Sequence, residues 1–205
     1  MPVVLNIQSS PNFHTSGSRA VSKAYVDAYA AAHSGTKIID VDLVVHPPTH
    51  FSPDHLRAFF TPPETHEPAN TAAAEASAAY IAQLLNADII VLGTPMHNFG
   101  ISSTLKSWID NILRIGVTFK YTEAGPVGLV PPGKKLVIVV SSGGIYSEGP
   151  YSPYDHAATY LRDCLATIGL TDCTILRAEG MTMGPEMAAK GMADGTAAAR
   201  ALASS

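Results

Sequence analysis

The chain has 205 residues, of which 46% are hydrophobic and 15% are charged, proportions typical of a compact globular protein rather than a disordered one. A formal net charge of −4 argues against binding to nucleic acid or to an anionic membrane surface. Two cysteines, Cys164 and Cys173, are too few for a disulfide framework or a zinc site, and no apolar run is long enough to cross a membrane, so we expect a cytoplasmic protein.

Apolar, β-branched runs alternate five times with helical patterns along the chain. The runs predict strands, and the patterns that follow them predict helices. The strands are expected at Val3–Ile7, Lys37–Leu43, Asp88–Leu92, Leu136–Val140 and Cys173–Leu176, and the helices at Ser18–Ala32, Asn70–Asn86, Ser102–Ile115, Pro153–Ile168 and Pro185–Ala203. This alternation indicates the α/β class, a parallel sheet covered on both faces. Because no repeat or long linker divides the chain, we expect residues 1–205 to form a single domain.

Two segments interrupt the alternation. His46–Pro68 is rich in proline and histidine, and Gly116–Gly133 contains several glycines and an aromatic cluster. Structureless stretches of this length are usually functional loops. The first segment contains four histidines, but their spacing fits no zinc motif, so we expect no metal site and solvent-exposed side chains. These histidines are His46, His50, His55 and His66.

Three loops follow the predicted strands that lie nearest the middle of such a sheet. They are Ser9–Ser18, Thr94–Ile101 and Ser141–Gly149. In doubly wound sheets, ligands bind beyond the carboxyl ends of the strands, at the point where the strand order reverses. We therefore expect the three loops to converge on one binding crevice.

The first loop, "SSPNFHTSGS", carries hydroxyls and no acid. Hydroxyls and the N–H groups at a helix N-terminus can bind a phosphate without a lysine. Neither the ATP-type phosphate motif nor the dinucleotide fingerprint is present. The alternative is that Ser16 or Ser18 only caps the helix. The candidate phosphate ligands are Ser10, Ser16, Gly17 and Ser18.

The other two loops suit a flat heteroaromatic ring. One presents soft, aromatic and amide groups, although methionine and phenylalanine are also ordinary core residues. The other contains two glycines, which permit close approach of a ligand or form a tight turn. The candidate residues are Met96, His97, Asn98 and Phe99 in the first of these loops, and Ser141, Ser142, Gly143 and Gly144 in the second.

Five segments, taken together, carry a resemblance to a known family. They are "SSPNFHTSGS", "TPMHNFGISSTLKSWID", "RIGVTFKYTEAGPVGL", "GKKLVIVVSSGGIYSEGP" and "AEGMTMGPEMA". With these motifs the chain resembles the FMN-dependent NADH-azoreductases of the flavodoxin-like, bacterial type. The resemblance implies an α/β flavodoxin-like fold, in which a five-stranded parallel sheet of order 2-1-3-4-5 has helices on both faces.

The resemblance also implies a cofactor, substrates and an assembly. Ser10 and Ser16 to Ser18 would hold the phosphate of non-covalent FMN, while the two later loops would hold the flavin ring. NADH would reduce the flavin, and an azo compound or a quinone would then take the electrons at the same site, giving ping-pong kinetics in a homodimer. No catalytic acid or base is required. We expect Tyr121 to shape acceptor access and Phe119 to support its loop.

Three features depart from the family pattern. His97 stands where tyrosine is usual, Ser142 stands where arginine is often found, and Tyr151–Asp163 is longer than in the enterobacterial member. A quinone reductase with incidental azo activity is the alternative function. A flavodoxin-like electron carrier is a weaker alternative, because such carriers are usually shorter and strongly acidic.

Overall fold

The computed structural model describes residues 1–204, and within them it contains seven strands and six α-helices. Two short 3₁₀ turns, Pro63–Thr65 and Ser152–Tyr154, lie between them. The strands are β1 Val3–Gln8, β2 Lys37–Asp42, β3 Ile89–Pro95, β4 Phe119–Thr122, β5 Gly125–Gly128, β6 Lys135–Ser141 and β7 Asp172–Ala178. The helices are α1 Gly17–Ala32, α2 Pro53–Phe60, α3 Pro68–Asn86, α4 Ser103–Ile112, α5 Ala158–Thr167 and α6 Pro185–Ala203.

Five of the strands form a parallel sheet in the spatial order β2-β1-β3-β6-β7. Counted along the sheet strands alone, this is the predicted order 2-1-3-4-5. The chain moves outward from β1 to β2 and then returns to the other side of β1 to form β3. The strand order therefore reverses between β1 and β3, where ligands bind in folds of this type.

Alternate side chains of the central strands enter two separate cores, because successive residues of a strand face opposite sides of the sheet. Ile89 and Val91 pack on one face with residues of α1 and α6. Ile90 and Leu92 pack on the other face, where the buried Trp108 of α4 lies. Helices thus cover both faces, as predicted. None of the helices described here is both long and apolar enough to cross a membrane.

The prediction that His46–Pro68 lacks regular structure is wrong, since this segment contains α2 and a 3₁₀ turn. Ser52 caps α2 by accepting hydrogen bonds from the N–H groups of Asp54 and His55, and Pro53 occupies the first turn, where its missing N–H costs nothing. These local signals start a helix despite the surrounding prolines.

His55 also departs from the prediction of exposed histidines, because its side chain is buried. The Ser52 N–H lies 3.3 Å from Nδ1 of His55, so Nδ1 accepts, and Nε2, 3.2 Å from the Thr49 hydroxyl, carries the proton. Burial lowers the pKa of His55. Within residues 1–204 no group of three or more histidine, cysteine or acidic side chains is arranged to hold a metal ion.

Gly116–Gly133 is also not structureless, because it forms the antiparallel hairpin of β4 and β5. The Val130 N–H donates to the carbonyl of Ile168 at the end of α5, which fixes the hairpin to the body of the protein. At Gly128, a Cβ atom would lie 2.3 Å from the Gly169 nitrogen. Only glycine therefore permits this close packing of the hairpin against the end of α5.

Candidate functional site

A cavity of about 430 Å³ lies at the carboxyl ends of β1, β3 and β6, a volume in the range of small-molecule sites. The three loops thus converge as expected. The lining residues come from these loops and from the segment after β7. They are Ser10, Pro11, Asn12, Thr15, Ser16, Gly17, Pro95, Met96, His97, Ser141, Ser142, Gly143, Met181 and Thr182.

The first loop ends in a capped helix. Ser16 is the N-cap of α1, and its Oγ accepts a hydrogen bond from the Arg19 N–H at 3.3 Å. Ser16 therefore does cap α1. The same Oγ lies 3.2 Å from Oγ of Ser18, and one proton is enough for that contact. When Ser18 donates in this contact, the Ser16 hydroxyl keeps its own proton for a ligand, because each hydroxyl is both a donor and an acceptor.

The first loop is held from outside the cavity by an ion pair. Nε and Nη2 of Arg19 donate to the carbonyl oxygen of Ser10 at 3.0 and 2.7 Å. Nη1 and Nη2 also donate to the carboxylate of Asp42, at 2.7 and 3.1 Å. Burial raises the pKa of Asp42, but hydrogen bonds from Arg19, Val44 and Val45 outweigh it and leave the pKa below its usual value.

Arg19 therefore positions the loop and does not face the cavity. Sequence reasoning missed this pair, although Asp42 ends the second strand and Arg19 directly follows the serine cluster. Phe13 lies over the guanidinium, 4.7 Å from ring centroid to Cζ, and adds a cation–π contact.

The loop after β3 makes a tight turn. The backbones of His97 and Gly100 donate to each other at 2.9 Å, and Asn98 and Phe99 between them have φ angles of 48° and 69°. Positive φ at a phenylalanine is unusual and costs free energy. The turn directs Asn98 and Phe99 to the surface, so the structure brings Met96 and His97 into this cavity but not these two residues.

The loop after β6 is joined to the segment after β7. The Thr182 N–H donates to the Gly143 carbonyl at 3.0 Å, and the Met181 N–H donates to the Ser142 carbonyl at 3.1 Å. A Cβ on Gly143 would lie 2.6 Å from Oγ1 of Thr182, so this glycine is needed for the contact between the two loops. Sequence reasoning missed Met181 and Thr182 as lining residues. They follow β7, which ends at the same edge of the sheet as the other strands, and this position could have identified them.

Gly17 brings the first loop close to β6. A Cβ at this position would lie 2.9 Å from Oγ of Ser141 and 3.1 Å from Cβ of Ala178. A larger residue would push the start of α1 away from the sheet. Gly17 therefore determines how closely the first loop approaches the third.

Three other candidate residues do not line this cavity. Ser18 is fully buried, Gly144 lines a neighbouring cavity, and Tyr121 lies on the hairpin with 68% of its surface exposed. Phe119 packs against the core and contacts the Tyr121 ring edge to face, with 5.5 Å between centroids. The local supporting role expected for Phe119 agrees with this packing.

The electrostatics of the cavity suit an anion at one end and a neutral ring at the other. The first turn of α1 contains no acidic residue, so the partial positive charge of its N-terminus is not cancelled. Of the residues that line the cavity, His97 alone has a titratable side chain. An anion here would be held by N–H and O–H groups and not by a cationic side chain.

Comparisons with known proteins agree with this geometry. A family model described as flavodoxin-like fold matches residues 3–203. The FMN-dependent NADH:quinone oxidoreductase of Herminiimonas arsenicoxydans is 46% identical over 193 residues, covering 94% of each chain. The crystal structure of an azoreductase from Bacillus anthracis matches with a TM-score of 0.91 at 28% identity, covering 100% of this chain and 99% of the other. A B. anthracis FMN-dependent NADH-azoreductase in complex with FMN gives a TM-score of 0.86 at 28% identity, covering 99% and 100%.

Proposed function

The chain belongs to the flavodoxin-like family of FMN-dependent NADH:quinone oxidoreductases and azoreductases, and on this premise we propose that it transfers electrons from NADH through non-covalent FMN to quinones and azo compounds. The observation that carries the proposal is the cavity of about 430 Å³ at the reversal of strand order, with hydroxyl and N–H donors at one end. We assign this activity to a single flavodoxin-like domain.

The phosphate end of the cavity fits FMN. Ser10 and Ser16 supply hydroxyls, and the first N–H groups of α1 begin at Gly17, where they have no partner within the helix. A phosphate at this position would receive hydrogen bonds strengthened by its own charge. We include Ser18 in this set because its hydroxyl contacts that of Ser16.

The opposite end of the cavity fits the flavin ring. Pro95 and Met96 provide an apolar surface, and His97 provides an aromatic one. The Ser142 N–H donates to the Ala178 carbonyl of β7, and the Ser142 and Gly143 carbonyls accept from the N–H groups of Met181 and Thr182, so this backbone keeps a fixed position beside the ring. We propose that Asn98, Phe99 and Gly144 border the ring from outside this cavity.

The role of the protein is to bind and orient the reactants, since the cofactor carries the redox chemistry. When bound, FMN supplies a reversible two-electron carrier that accepts a hydride from NADH and returns two electrons to an acceptor. A quinone takes up two electrons and two protons to become a hydroquinone, and an azo bond needs two such cycles to give two amines. We propose that NADH and the acceptor occupy this cavity in turn, which would give ping-pong kinetics.

We further propose that the protein is a homodimer. Leu56 and Phe60 lie one turn apart on α2 and are 54% and 64% exposed, and the hairpin exposes Tyr121 and Val127. Tyr121 and Val127 lie on opposite faces of the hairpin, because Val127 pairs with Lys120, whereas Leu56 and Phe60 share one side of α2, and exposed apolar side chains placed together mark interaction surfaces. Tyr121 would then reach the cavity of the partner subunit. Sedimentation equilibrium should give twice the mass of the chain, and a monomer at micromolar concentration would contradict this.

A cytoplasmic location fits the free thiols of Cys164 and Cys173, because reducing compartments keep thiols unpaired. NADH is proposed as the donor on the strength of the relatives' names. A quinone reductase with only incidental azo activity would use the same residues. Comparing the turnover rates with a quinone and with an azo compound distinguishes the two functions. An electron carrier would exchange electrons with proteins and would not turn over small acceptors.

Two measurements test the proposed function. Acid precipitation of the purified protein should release FMN into a yellow supernatant. Anaerobic oxidation of NADH or NADPH should then be measured with a one-ring benzoquinone and with an azo dye. Two results would refute the proposal. One is protein that contains no FMN and also binds none when it is added, and the other is protein that turns over neither acceptor.

A further inference from the structure

The loop after β3 is supported from outside the cavity by the segment 151–157, which directly precedes α5. In this segment the His156 N–H donates to the carbonyl of Phe99 at 3.1 Å. The ring centroid of Phe99 lies 5.4 Å from that of Tyr154 in the same segment, and 6.1 Å from that of Tyr146 in the loop after β6. The position of the turn at Phe99 therefore depends on both of these neighbours.

The loop after β6 is held by Glu179, which directly follows β7. Oε1 of Glu179 accepts hydrogen bonds from the N–H groups of Tyr146 and Ser147 at 2.8 and 2.9 Å, and Oε2 accepts from the Ser147 hydroxyl. The N–H of the next residue, Gly180, donates to the carbonyl of Gly144 at 3.1 Å. The loop is thus fixed at three residues by one short segment.

Glu179 is itself fixed from behind by α6. At Gly191, a Cβ atom would overlap the carbonyl oxygen of Glu179, so the backbones of the helix and of this segment are in direct contact. The Glu179 side chain is only 13% exposed, and a carboxylate this buried is costly unless it is hydrogen-bonded or paired. The N–H groups of the loop after β6 meet that need, so Glu179 and the loop hold each other in place.

Arg177 joins Glu179 to the segment before α5. Its Nη2 donates to Oδ2 of Asp155 at 2.6 Å, and its Nη1 lies 3.5 Å from Oε1 of Glu179. Asp155 is 4% exposed, and its other oxygen accepts from the Ala158 N–H in the first turn of α5 at 2.9 Å. A guanidinium has several donors in one plane, so a single side chain contacts both carboxylates.

These three charged residues contribute direction as well as stability. A buried ion pair is often no more stabilising than well-packed apolar side chains of the same size, but apolar side chains form no directional bonds to backbone N–H groups. None of the three lines the cavity described above. Their contacts end instead on the backbones of the two loops or of the segment that supports them, so their effect on a ligand is indirect.

We propose that Asp155, Arg177 and Glu179, called here the loop clamp, are positioning residues for the flavin ring. The loop clamp sets the separation of the loop after β3 from the loop after β6, between which the ring would lie. This rests on the proposed function, since FMN is the ligand assigned to these loops. Loops that are ordered in advance lose less conformational entropy when a ligand binds, so the affinity for the ring should depend on the loop clamp.

The link to the loop after β6 is tested by titrating wild type and variants, freed of bound flavin, with FMN and with riboflavin. Glu179→Ala should weaken both flavins about tenfold, a loss comparable to the cost of ordering one more loop residue on binding. The ratio of the two dissociation constants should stay at its wild-type value, because the phosphate end of the cavity is untouched. Glu179→Gln should restore both affinities, since its amide oxygen still accepts the two N–H bonds. Wild-type affinities in Glu179→Ala, a loss confined to FMN, or no restoration by glutamine would overturn the proposal.

The link through Arg177 is tested by Asp155→Asn. This variant keeps an oxygen for the first turn of α5 but removes the charge that strengthens the bond from Arg177, and it should weaken both flavins about threefold. Asp163→Asn makes the same charge change in the exposed ion pair of Arg162 and Asp163, whose side chains are 52% and 67% exposed, and should leave both affinities unchanged. Equal affinities in these two variants would contradict a role for Arg177.

A second control separates positioning from general loss of stability. Leu84 is fully buried and lies near the end of α3, just before β3 begins, so it is at the opposite edge of the sheet from the cavity. Leu84→Ala should lower Tm and leave the flavin affinities of the folded protein unchanged. Flavin loss as large as in Glu179→Ala would refute the loop clamp. Wild type that binds no flavin would refute the proposed function instead, so the two failures are distinct.

Discussion

Replacement of Asp42 by asparagine tests how the first loop is held against the cavity. The variant keeps the shape of the side chain but removes the charge that pairs with Arg19 at 2.7 Å. Arg19 keeps its two bonds to the Ser10 carbonyl, and the amide oxygen can still accept from the Val44 and Val45 N–H groups, as Oδ1 of Asp42 does. The change therefore removes the charge together with the hydrogen bond from Nη1 of Arg19 to Oδ2.

The structure sets the size of the effect. The Arg19 and Asp42 side chains are 18% and 26% exposed, between the surface pairs that contribute about 0–1 kcal/mol and the buried pairs whose disruption costs about 3–5 kcal/mol. We expect the free energy of unfolding to fall by about 2 kcal/mol. In a chain of this size, 1 kcal/mol lowers Tm by about 2–4 °C, so Tm should fall by about 4–8 °C.

The assay is thermal unfolding of wild type and variant between pH 3 and 8. Because the folded state lowers the pKa of Asp42, its stabilising effect is complete above the unfolded pKa of about 3.9 and is lost as the pH falls through the folded pKa. The difference in Tm should therefore be constant from pH 5 to 8 and shrink below about pH 4.

The matched control is Asp27→Asn, which removes an exposed ion pair with Lys23 on the same helix. Its side chains are 74% and 59% exposed, so Tm should change by no more than about 2 °C. If Tm decreases by the same amount in both variants, or if the decrease for Asp42→Asn is as large at pH 3 as at pH 7, the ion pair does not hold the loop.

Three further changes test other parts of the structure. Replacing Ser16 and Ser18 together by alanine should weaken FMN binding at least about tenfold, because one hydroxyl bond to a charged group contributes about 1.5–3 kcal/mol and Ser18 acts through Ser16, and it should weaken riboflavin binding much less. If titrations show that FMN and riboflavin lose affinity equally, the two serines do not bind the phosphate and serve only to cap α1. Tyr121→Ala should change acceptor KM values and leave FMN content intact, and unchanged kinetics with every acceptor would refute its role. Since folding lowers the pKa of His55, stability should fall as the pH drops below about 6.5, and His55→Gln should lack this dependence in denaturant titrations at pH 5 and 8.

The sheet was predictable from the sequence because its strands are continuous apolar runs. Residues 89–92 and 136–140 have no polar member, which is typical of strands buried on both faces. Helix α6 was also predicted with its observed limits, Pro185–Ala203, since Pro185 marks its first turn. These signals are local, so the sequence alone was enough.

The two inserted segments were harder to predict because their structure depends on distant contacts. Helix α2 has eight residues, too few to be stable alone in water, and its buried Ala58 and His55 pack only once α3 is present. The hairpin depends on contact between Gly128 and the end of α5. Helix α5 itself starts later than predicted, at Ala158, where Asp155 accepts a hydrogen bond from the first turn.

The candidate site shows the same division between local and distant signals. The serines and glycines of the three loops directly follow their strands in the sequence. The rule that ligands bind beyond the carboxyl ends of the strands was therefore enough to predict that these residues lie around one cavity. The ion pair of Arg19 with Asp42 and the contact of Gly143 with Thr182 join residues 23 and 39 positions apart. These contacts determine how firmly the loops are held beside the cavity. The composition of a loop therefore indicates what class of ligand it suits, whereas contacts between loops determine where its ligand-binding groups stand.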